Sequence, residues 1–421
     1  MKILENCKLF KLNKIKTIYK VLNIPTEAQQ KNFDFDCLYD FKYLKKDSKK
    51  NNKKKDSKKN NKVSKDERFK KYINIKKSMS QLIDERPNDF DKSKYRVIIN
   101  INQEWLKKTQ KKFHKIIAKE LNNITYLQST IKHKSFATNA HKHIGKKFTL
   151  TIDLKNFFTC ISRETLANKL KTLLEVDSDI AVYYSKLFTS PSDKPPYNNE
   201  QYNLGQGLPS SPILAFLCNY TLFEYINNLA KRYNTSMTIY VDDITFSSDI
   251  PISQEFINKL FGLFKQNGMR INTSKVHLSK NSSFKKITGV NIIDGKPKIP
   301  NRKHEEIMIQ FKTIHTLTGI KSFSDYLYFY NLYLKFTGNY QYLIEVECKN
   351  GQGKKVIKPQ YKKYQNFITE YDKFFPRGKN KKNKNIEYTI NNLPKKDKIC
   401  LERAYYELIN HLNEQKNAEF L

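Results

Sequence analysis

The chain has 421 residues, enough for two or three compact units with real cores. Hydrophobic residues make up 38 %, with 27 Phe and 26 Tyr, which excludes a disordered polyelectrolyte. A net charge of +37 says little about fold but favours a polyanionic partner, nucleic acid first.

Of the 78 basic residues 69 are Lys, and Asn and Ile are also abundant, a bias that an A/T-rich coding sequence would produce as well. The six cysteines (Cys7, Cys37, Cys160, Cys218, Cys348, Cys400) contain no CxxC pair. They read as reduced thiols of an intracellular protein, without a disulfide framework or zinc site. Lys interrupts every apolar run near the N-terminus, and no run approaches the ~18 apolar residues of a membrane span. The expectation is a cytoplasmic protein with no membrane partner.

Residues 1–44 carry helical periodicity broken near Pro25, then the patch "FDFDCLYDFKYL". A tandem nonapeptide, KKDSKKNNK, follows at 45–53 and 54–62; residues 45–71 hold 14 Lys/Arg against 4 Asp/Glu, a net of +10. With no apolar face this reads as a disordered, insertion-like loop, either touching phosphate backbones or an expansion with no specific role. Structure resumes at "YINIKK" (72–77), and "YRVIININ" (95–102) alternates as a strand. "QEWLKKTQKKFHKIIAKEL" (103–121) is a basic amphipathic helix. "FTLTIDL" (148–154) is a strand ending in Asp153, and "SRETLANKLKTLL" (162–174) a helix capped by Ser162. "GLPSSPILAFLCNYTLFEYINNLAKRY" (207–233) is a glycine-proline turn feeding one long apolar helix. "SMTIYVDDITFSS" (236–248) alternates on both sides of Asp242 and Asp243, as a hairpin does. A helix at 252–268 closed by Gly268, strands at 269–279 and 285–294, and a mostly helical 303–421 complete the chain. A second basic segment, 349–385, has 12 Lys/Arg against 2 acids.

Asp is a poor strand residue, and two adjacent carboxylates repel. A turn capped by Asp would explain them, but so would a site that needs negative charge. Asp153 on one strand and Asp242–Asp243 on a neighbouring hairpin would bring three carboxylates together. That set suits a pair of Mg²⁺ ions, which take oxygen ligands and stabilise both oxygens of an in-line phosphoryl displacement.

Here the chain resembles the reverse transcriptases. "YVDD" matches that family's catalytic tetrapeptide, and "TIDLKNFF" its preceding acidic motif. "LGQGLPSSPILA" (204–215) resembles LPQGxxTSP, with Gly205 and Ser210 as departures, and "GMRINTSKVHL" (268–278) resembles G-x-x-x-N-x-x-K. The four motifs stand in the family's order across about 72–295. The resemblance implies an α+β right-hand polymerase: fingers at 72–150, a palm at 151–299 with an antiparallel sheet, the YVDD hairpin and helices, and a helical RNA-binding thumb at 300–421. Residues 175–206 could contribute to the fingers, and 1–44 form an N-terminal helical segment. Asp153, Asp242 and Asp243 would hold two Mg²⁺ ions. Phe158 would be the steric gate that excludes a 2′-hydroxyl and so selects dNTPs, with Phe157 in the core. Gln206 and Gly207 would line the nascent base pair, glycine letting backbone approach the nucleotide. Lys275 would face the leaving pyrophosphate as proton donor or charge stabiliser, and Arg96 would bind the triphosphate.

"NAHKH" (139–143) fits the N-A-x-x-H signature of retron reverse transcriptases through Asn139, Ala140 and His143, and "ITG" (287–289) resembles their V-T-G, with Ile287 for Val. Asn139, His143, Thr288 and Gly289 become candidate RNA contacts, with a hydrogen-bonded or surface histidine as the plainer reading of His143. The retron resemblance implies a cognate structured noncoding RNA as template and primer. It also implies cDNA started from an RNA 2′-hydroxyl to give branched RNA–DNA (msDNA), and phage defence with a separate effector protein. The last 120 residues hold only Asp325, Asp372 and Asp397 and no His/Cys cluster, so template removal would fall to a host RNase H. The alternatives are a defence-associated or group II intron-like reverse transcriptase with another RNA or priming mode, and a non-catalytic, maturase-like RNA-binding protein.

Overall fold

The computed structural model describes residues 3–29, 39–45, 95–191, 202–280, 284–315, 320–348, 355–375 and 395–418. The KKDSKKNNK repeat beyond Lys45, "YINIKK", residues 33–38, and the 349–354 and 376–385 parts of the second basic segment lie outside the described residues. Contacts divide the chain into two compact units, one of residues 1–135 and 148–278, the other of 136–147 and 279–421. This division cuts across the expected fingers, palm and thumb boundaries at 136–147, and it does not decide them.

The first unit opens with α1 (Ile15–Leu22) and the antiparallel pair β1 (Tyr39–Lys45) and β2 (Tyr95–Ile101), with Tyr39 opposite Ile101. Helix α2 (Glu104–Glu120) buries Leu106, Phe113 and Ile117 on one face, the 3–4 spacing of an amphipathic helix. A short α3 (Phe136–His141) belongs to the second unit. Strand β3 (Phe148–Lys155) leads to α4 (Arg163–Leu174), whose Ser162 cap accepts the Thr165 N–H at 3.0 Å. Next come α5 (Ser178–Phe188) and the two-residue strands β4 (Ser190–Pro191) and β5 (Tyr202–Asn203).

The long helix expected over 207–233 is instead two: α6 (Ser211–Cys218) and α7 (Tyr220–Arg232). Asn219 breaks it. Its side-chain amide takes the Ala215 carbonyl at 2.9 Å, while its own N–H turns to Phe216 at 3.1 Å. This is the competition by which Asn interrupts helices.

Strands β6 (Ser236–Tyr240) and β7 (Asp243–Ser248) form the hairpin. Helix α8 (Gln254–Gln266), capped by Ser253, and β8 (Arg270–Ile271) follow, and the unit boundary falls within β9 (His277–Lys280). The central sheet runs in the order β6-β7-β3-β8. Leu150, Ile152 and Leu154 of β3 and Ile244 and Phe246 of β7 are buried, and Phe246 packs edge-on against Phe256 of α8. Each such ring, fully buried, contributes about 2–3 kcal/mol, which offsets the cost of setting acids at the end of the sheet. The outer edge of β6 is covered as well. Leu127 bridges Ile239 in parallel, with backbone bonds from Gln128 to Ile239 and from Ile239 to Tyr126, both 2.8 Å.

In the second unit, β10 (Phe284–Ile287), β11 (Val290–Ile293) and β12 (Lys296–Lys298) form a meander. Its turns are Thr288–Gly289 and Asp294–Gly295, all four residues at positive φ, the geometry of a two-residue hairpin loop that matches strand twist. Helices α9 (Asn301–His315), α10 (Phe323–Glu347), α11 (Lys362–Tyr371) and α12 (Lys395–Ala418) complete it. Helix α10 starts on a capping box between Ser322 and Asp325. Its Tyr326, Tyr330, Tyr333 and Phe336 are core, so most aromatics of this region pack against one another; Tyr328 and Tyr406 stay more than half exposed, 61 % and 65 %. Among the described residues no helix is long and apolar enough to cross a membrane.

Candidate active site

The sheet register brings the acids together. Asp153 of β3 lies directly opposite Asp243, the first residue of β7, and Tyr240 of β6 faces Asp243 from the other side. Directly opposed residues stand about 4.5–5.5 Å apart, so the two carboxylates repel unless a cation intervenes. The turn between β6 and β7 is Val241–Asp242, with Val241 at φ +61°. Strand β3 runs on past Asp153 to Lys155, because β8 pairs with Leu154 and Lys155 and the Leu154 N–H donates to the Asp242 carbonyl at 3.1 Å. Asp153 is therefore inside the strand, where the sequence had suggested its end.

Two residues of the following loop grip Asp153. The Lys275 ammonium donates to Oδ1 at 2.7 Å, and the Asn272 side-chain amide to Oδ2 at 3.1 Å. The Asn272 backbone N–H also bonds the Asp153 carbonyl at 2.8 Å, and Ser274 Oγ donates to the Asn272 side-chain oxygen at 2.9 Å. Asp153 is 14 % exposed and Lys275 54 %, so the ammonium reaches in from solvent. Burial pushes the Asp243 carboxyl up to about 6, Asp242 and Asp153 add to the shift, and Lys275 opposes it. The Tyr240 hydroxyl is raised by burial and by Asp243.

Among the described residues no three His, Cys, Asp or Glu side chains close on a shared point as a ready-made ion cage. The donor set still fits Mg²⁺, which binds through one or two carboxylates and completes its shell with water and substrate phosphate. The raised Asp243 and the ammonium held on Asp153 both mark a place short of positive charge.

The other sequence candidates fall as follows. Phe157 is buried and Phe158 half-buried, with ring centroids 5.5 Å apart. Gln206 and Gly207 form a turn against β2, where the Ile99 N–H donates to the Gln206 carbonyl at 2.7 Å. Gly207 has φ +104°, and a Cβ there would sit 2.5 Å from the Ile99 carbonyl oxygen. The structure thus supplies a reason for glycine in β2 itself, before any nucleotide is considered. Arg96 stands on β2 opposite Leu44; its side chain lies outside the described residues.

Asn139 and Thr288, 149 positions apart, meet inside the second unit. The Asn139 amide lies 3.4 Å from Thr288 Oγ1, which donates to the Phe136 carbonyl at 3.0 Å. Asn139 and His143 are fully buried, and burial with nearby Lys142, Lys285 and Lys146 pushes His143 down to about 3, leaving it neutral. Both were expected as RNA contacts; Asn139 instead meets Thr288 of the β10–β11 turn, and His143 is enclosed as a neutral ring just beyond α3. Gly289 at that turn is exposed, and Thr288 is half-buried.

Sequence reading passed over Asn272, Ser129 and His114. Asn272 was visible as the Asn of G-x-x-x-N-x-x-K. Ser129 and His114 carry no motif: Ser129 Oγ accepts the Val241 N–H at 3.1 Å, and the His114 ring lies between the Pro209 and Thr130 carbonyls.

A family model described as reverse transcriptase (RNA-dependent DNA polymerase) matches residues 75–292. The retron Ec86 reverse transcriptase of Escherichia coli is 33 % identical over 196 residues, 45 % of this chain and 56 % of that protein. The retron Se72 reverse transcriptase of Salmonella heidelberg (strain 579083-10) is 28 % identical over 213 residues, 48 % and 54 % of the two chains. The retron Mx65 reverse transcriptase of Myxococcus xanthus is 28 % identical over 169 residues, 38 % and 39 %. The chain spans about half the length of the first two of these relatives.

Proposed function

The chain belongs to the reverse transcriptase family, and from that premise we propose that it is an RNA-directed DNA polymerase of retron type, copying a cognate structured noncoding RNA into single-stranded cDNA. The observation that carries the reading is the register of Asp153 with Asp243, beside Asp242 at the hairpin turn, in a chain similar to retron reverse transcriptases.

In this reading Asp153, Asp242 and Asp243 would hold two Mg²⁺ ions. Bound there, the ions supply charge stabilisation to the attacking and leaving oxygens of an in-line displacement. The chain's own side chains do the rest. Asn272 keeps the Asp153 carboxylate oriented. Lys275, whose ammonium reaches Asp153 at 2.7 Å, would face the leaving pyrophosphate and donate a proton or hold charge there. Phe158 fills the space a 2′-hydroxyl would need, so dNTPs enter. Gln206 and Gly207 line the nascent base pair, and Arg96 grips the triphosphate.

Synthesis begins from a 2′-hydroxyl of the RNA and yields branched msDNA in the cytoplasm. The 300–421 region grips the RNA, a host RNase H trims the template, and a separate effector protein completes an anti-phage system. The test is to purify the full chain with its nucleic acid and sequence that material with and without RNase and debranching treatment. A 2′–5′ RNA–DNA branch, absent from an Asp242→Asn/Asp243→Asn variant, is the expected result. Unchanged dNTP incorporation in that variant overturns the polymerase reading; cDNA without a branch overturns the retron priming alone.

A further inference from the structure

Two β-branched residues near the acids adopt left-handed backbone: Val241 at φ +61° and Thr130 at φ +66°. Such residues are genuine outliers there, and strain of this kind persists only where surrounding contacts impose it. In this fold a side chain bonds the backbone at each. Ser129, buried, accepts the Val241 N–H at 3.1 Å. His114 Nε2 lies 2.6 Å from the Thr130 carbonyl, and the other ring nitrogen, Nδ1, lies 2.9 Å from the Pro209 carbonyl. Carbonyls only accept, so at either contact the ring N–H is the donor. The loop's backbone also closes on itself around Thr130, where the Ile131 N–H donates to the Ser129 carbonyl at 2.8 Å, while Gln128 Oε1 and Thr130 Oγ1 are buried without a hydrogen-bond partner.

The three bonds link two parts of the site. Val241 directly precedes Asp242, so its φ sets where that carboxylate points. Pro209 lies two residues beyond Gly207, in the turn that faces the base pair under the proposed function. We propose that Ser129 and His114 are positioning residues: Ser129 holds the acidic hairpin in its left-handed turn, and His114 ties the Ser129–Thr130 loop to the Gln206–Pro209 turn, so that metal-binding and nucleotide-binding parts keep one register. This rests on the polymerase reading for its nucleotide half and on geometry alone for its hairpin half.

The side-chain amide of Asn stands where Nδ1 does and that of Gln where Nε2 does, which allows the His114 bonds to be separated. His114→Asn keeps the Pro209 bond and releases Thr130; His114→Gln does the reverse. With the full-length chain, Mn²⁺ binding is followed by electron paramagnetic resonance of the free ion without nucleotide, and dTTP incorporation is measured on poly(rA)·oligo(dT). Ser129→Ala weakens Mn²⁺ binding about tenfold and lowers kcat about tenfold, the size of one lost hydrogen bond, while KM for dTTP stays within about twofold. Ser129→Thr restores both, because its hydroxyl accepts the same N–H. His114→Asn follows Ser129→Ala, whereas His114→Gln keeps Mn²⁺ affinity and raises KM for dTTP about tenfold. The proposal is overturned if folded Ser129→Ala and His114→Asn bind Mn²⁺ as the parent does. It is equally overturned if all four variants lose Mn²⁺ binding and KM together in proportion to lowered melting temperature. If the parent itself incorporates no dTTP, the polymerase reading fails, and the Mn²⁺ comparison still decides the hairpin half.

Discussion

Replacing Asp243 with Asn should stabilise the metal-free protein even as it disables the site. In the fold Asp243 faces Asp153, adjoins Asp242 and is half-buried; burial first and these two carboxylates next raise its carboxyl from 3.8 to about 6. A raised carboxyl binds its proton more tightly in the folded chain than in the unfolded one. Ionised Asp243 therefore costs stability above about pH 6, and the cost disappears as pH falls through 6 toward 4. Two pH units at 1.36 kcal/mol each put the cost near 3 kcal/mol at pH 7.5. Asn keeps the shape and removes the charge. Thermal unfolding of the full chain in EDTA at pH 7.5 should show Asp243→Asn melting about 4–8 °C above the parent, with the gap closing by about pH 4.5. Adding Mg²⁺ should narrow or reverse the gap, since the parent, with all three carboxylates, gains more binding energy from the ion than the variant. A variant no more stable than the parent in EDTA, or a gap that does not shrink on acidification, would refute the claim that charge repulsion is stored at this strand pair.

Phe158→Ala should open the sugar pocket; competing rCTP and dCTP in primer extension should give at least about a tenfold rise in ribonucleotide use, the scale of a removed steric or packing element in a binding site. Gly207→Ala forces a Cβ to 2.5 Å from the Ile99 carbonyl at φ +104° and should lower the unfolding free energy in urea by about 1–3 kcal/mol, as strain of this kind does, with a measurable fall in dNTP incorporation. Glu347 is buried and accepts from the Ile299 N–H, His304 and Tyr361 at 3.0, 2.8 and 2.7 Å. Although burial opposes it, the bonds from His304, Tyr361 and Ile299 hold its carboxyl down at about 2. Its stabilisation is thus present above pH 4.5 and lost as pH falls toward 2, and Glu347→Ala should cost about 3–5 kcal/mol in urea unfolding at pH 7.

The legible part of the fold was local. The alternation around Asp153 and around Asp242–Asp243 marks strands, Ser162 marks a helix start, and the glycine turn before α6 marks a break. Asn219 was missed because its effect on the helix depends on which carbonyl its amide chooses, and apolar periodicity is blind to that. Asn139 and His143 were not legible as interior residues, since burial of a short segment is set by what packs over it. Among the aromatics of 300–421, composition alone could not separate the core Tyr326 and Tyr333 from the exposed Tyr328 and Tyr406.

By itself the sequence determined the order of the acids, the α+β alternation of elements and the motifs that set this chain among reverse transcriptases. These depend on neighbours a few residues apart, where side-chain period and backbone preference act directly. The tertiary structure alone decided that Asp153 faces Asp243, that Lys275 and Asn272 hold Asp153, and that Ser129 and His114 brace the hairpin and its loop. Those contacts join residues about a hundred positions apart. Hydrogen bonds across such spans form only after the core has packed, and no local pattern of charge or hydrophobicity encodes which donor will arrive beside which acceptor.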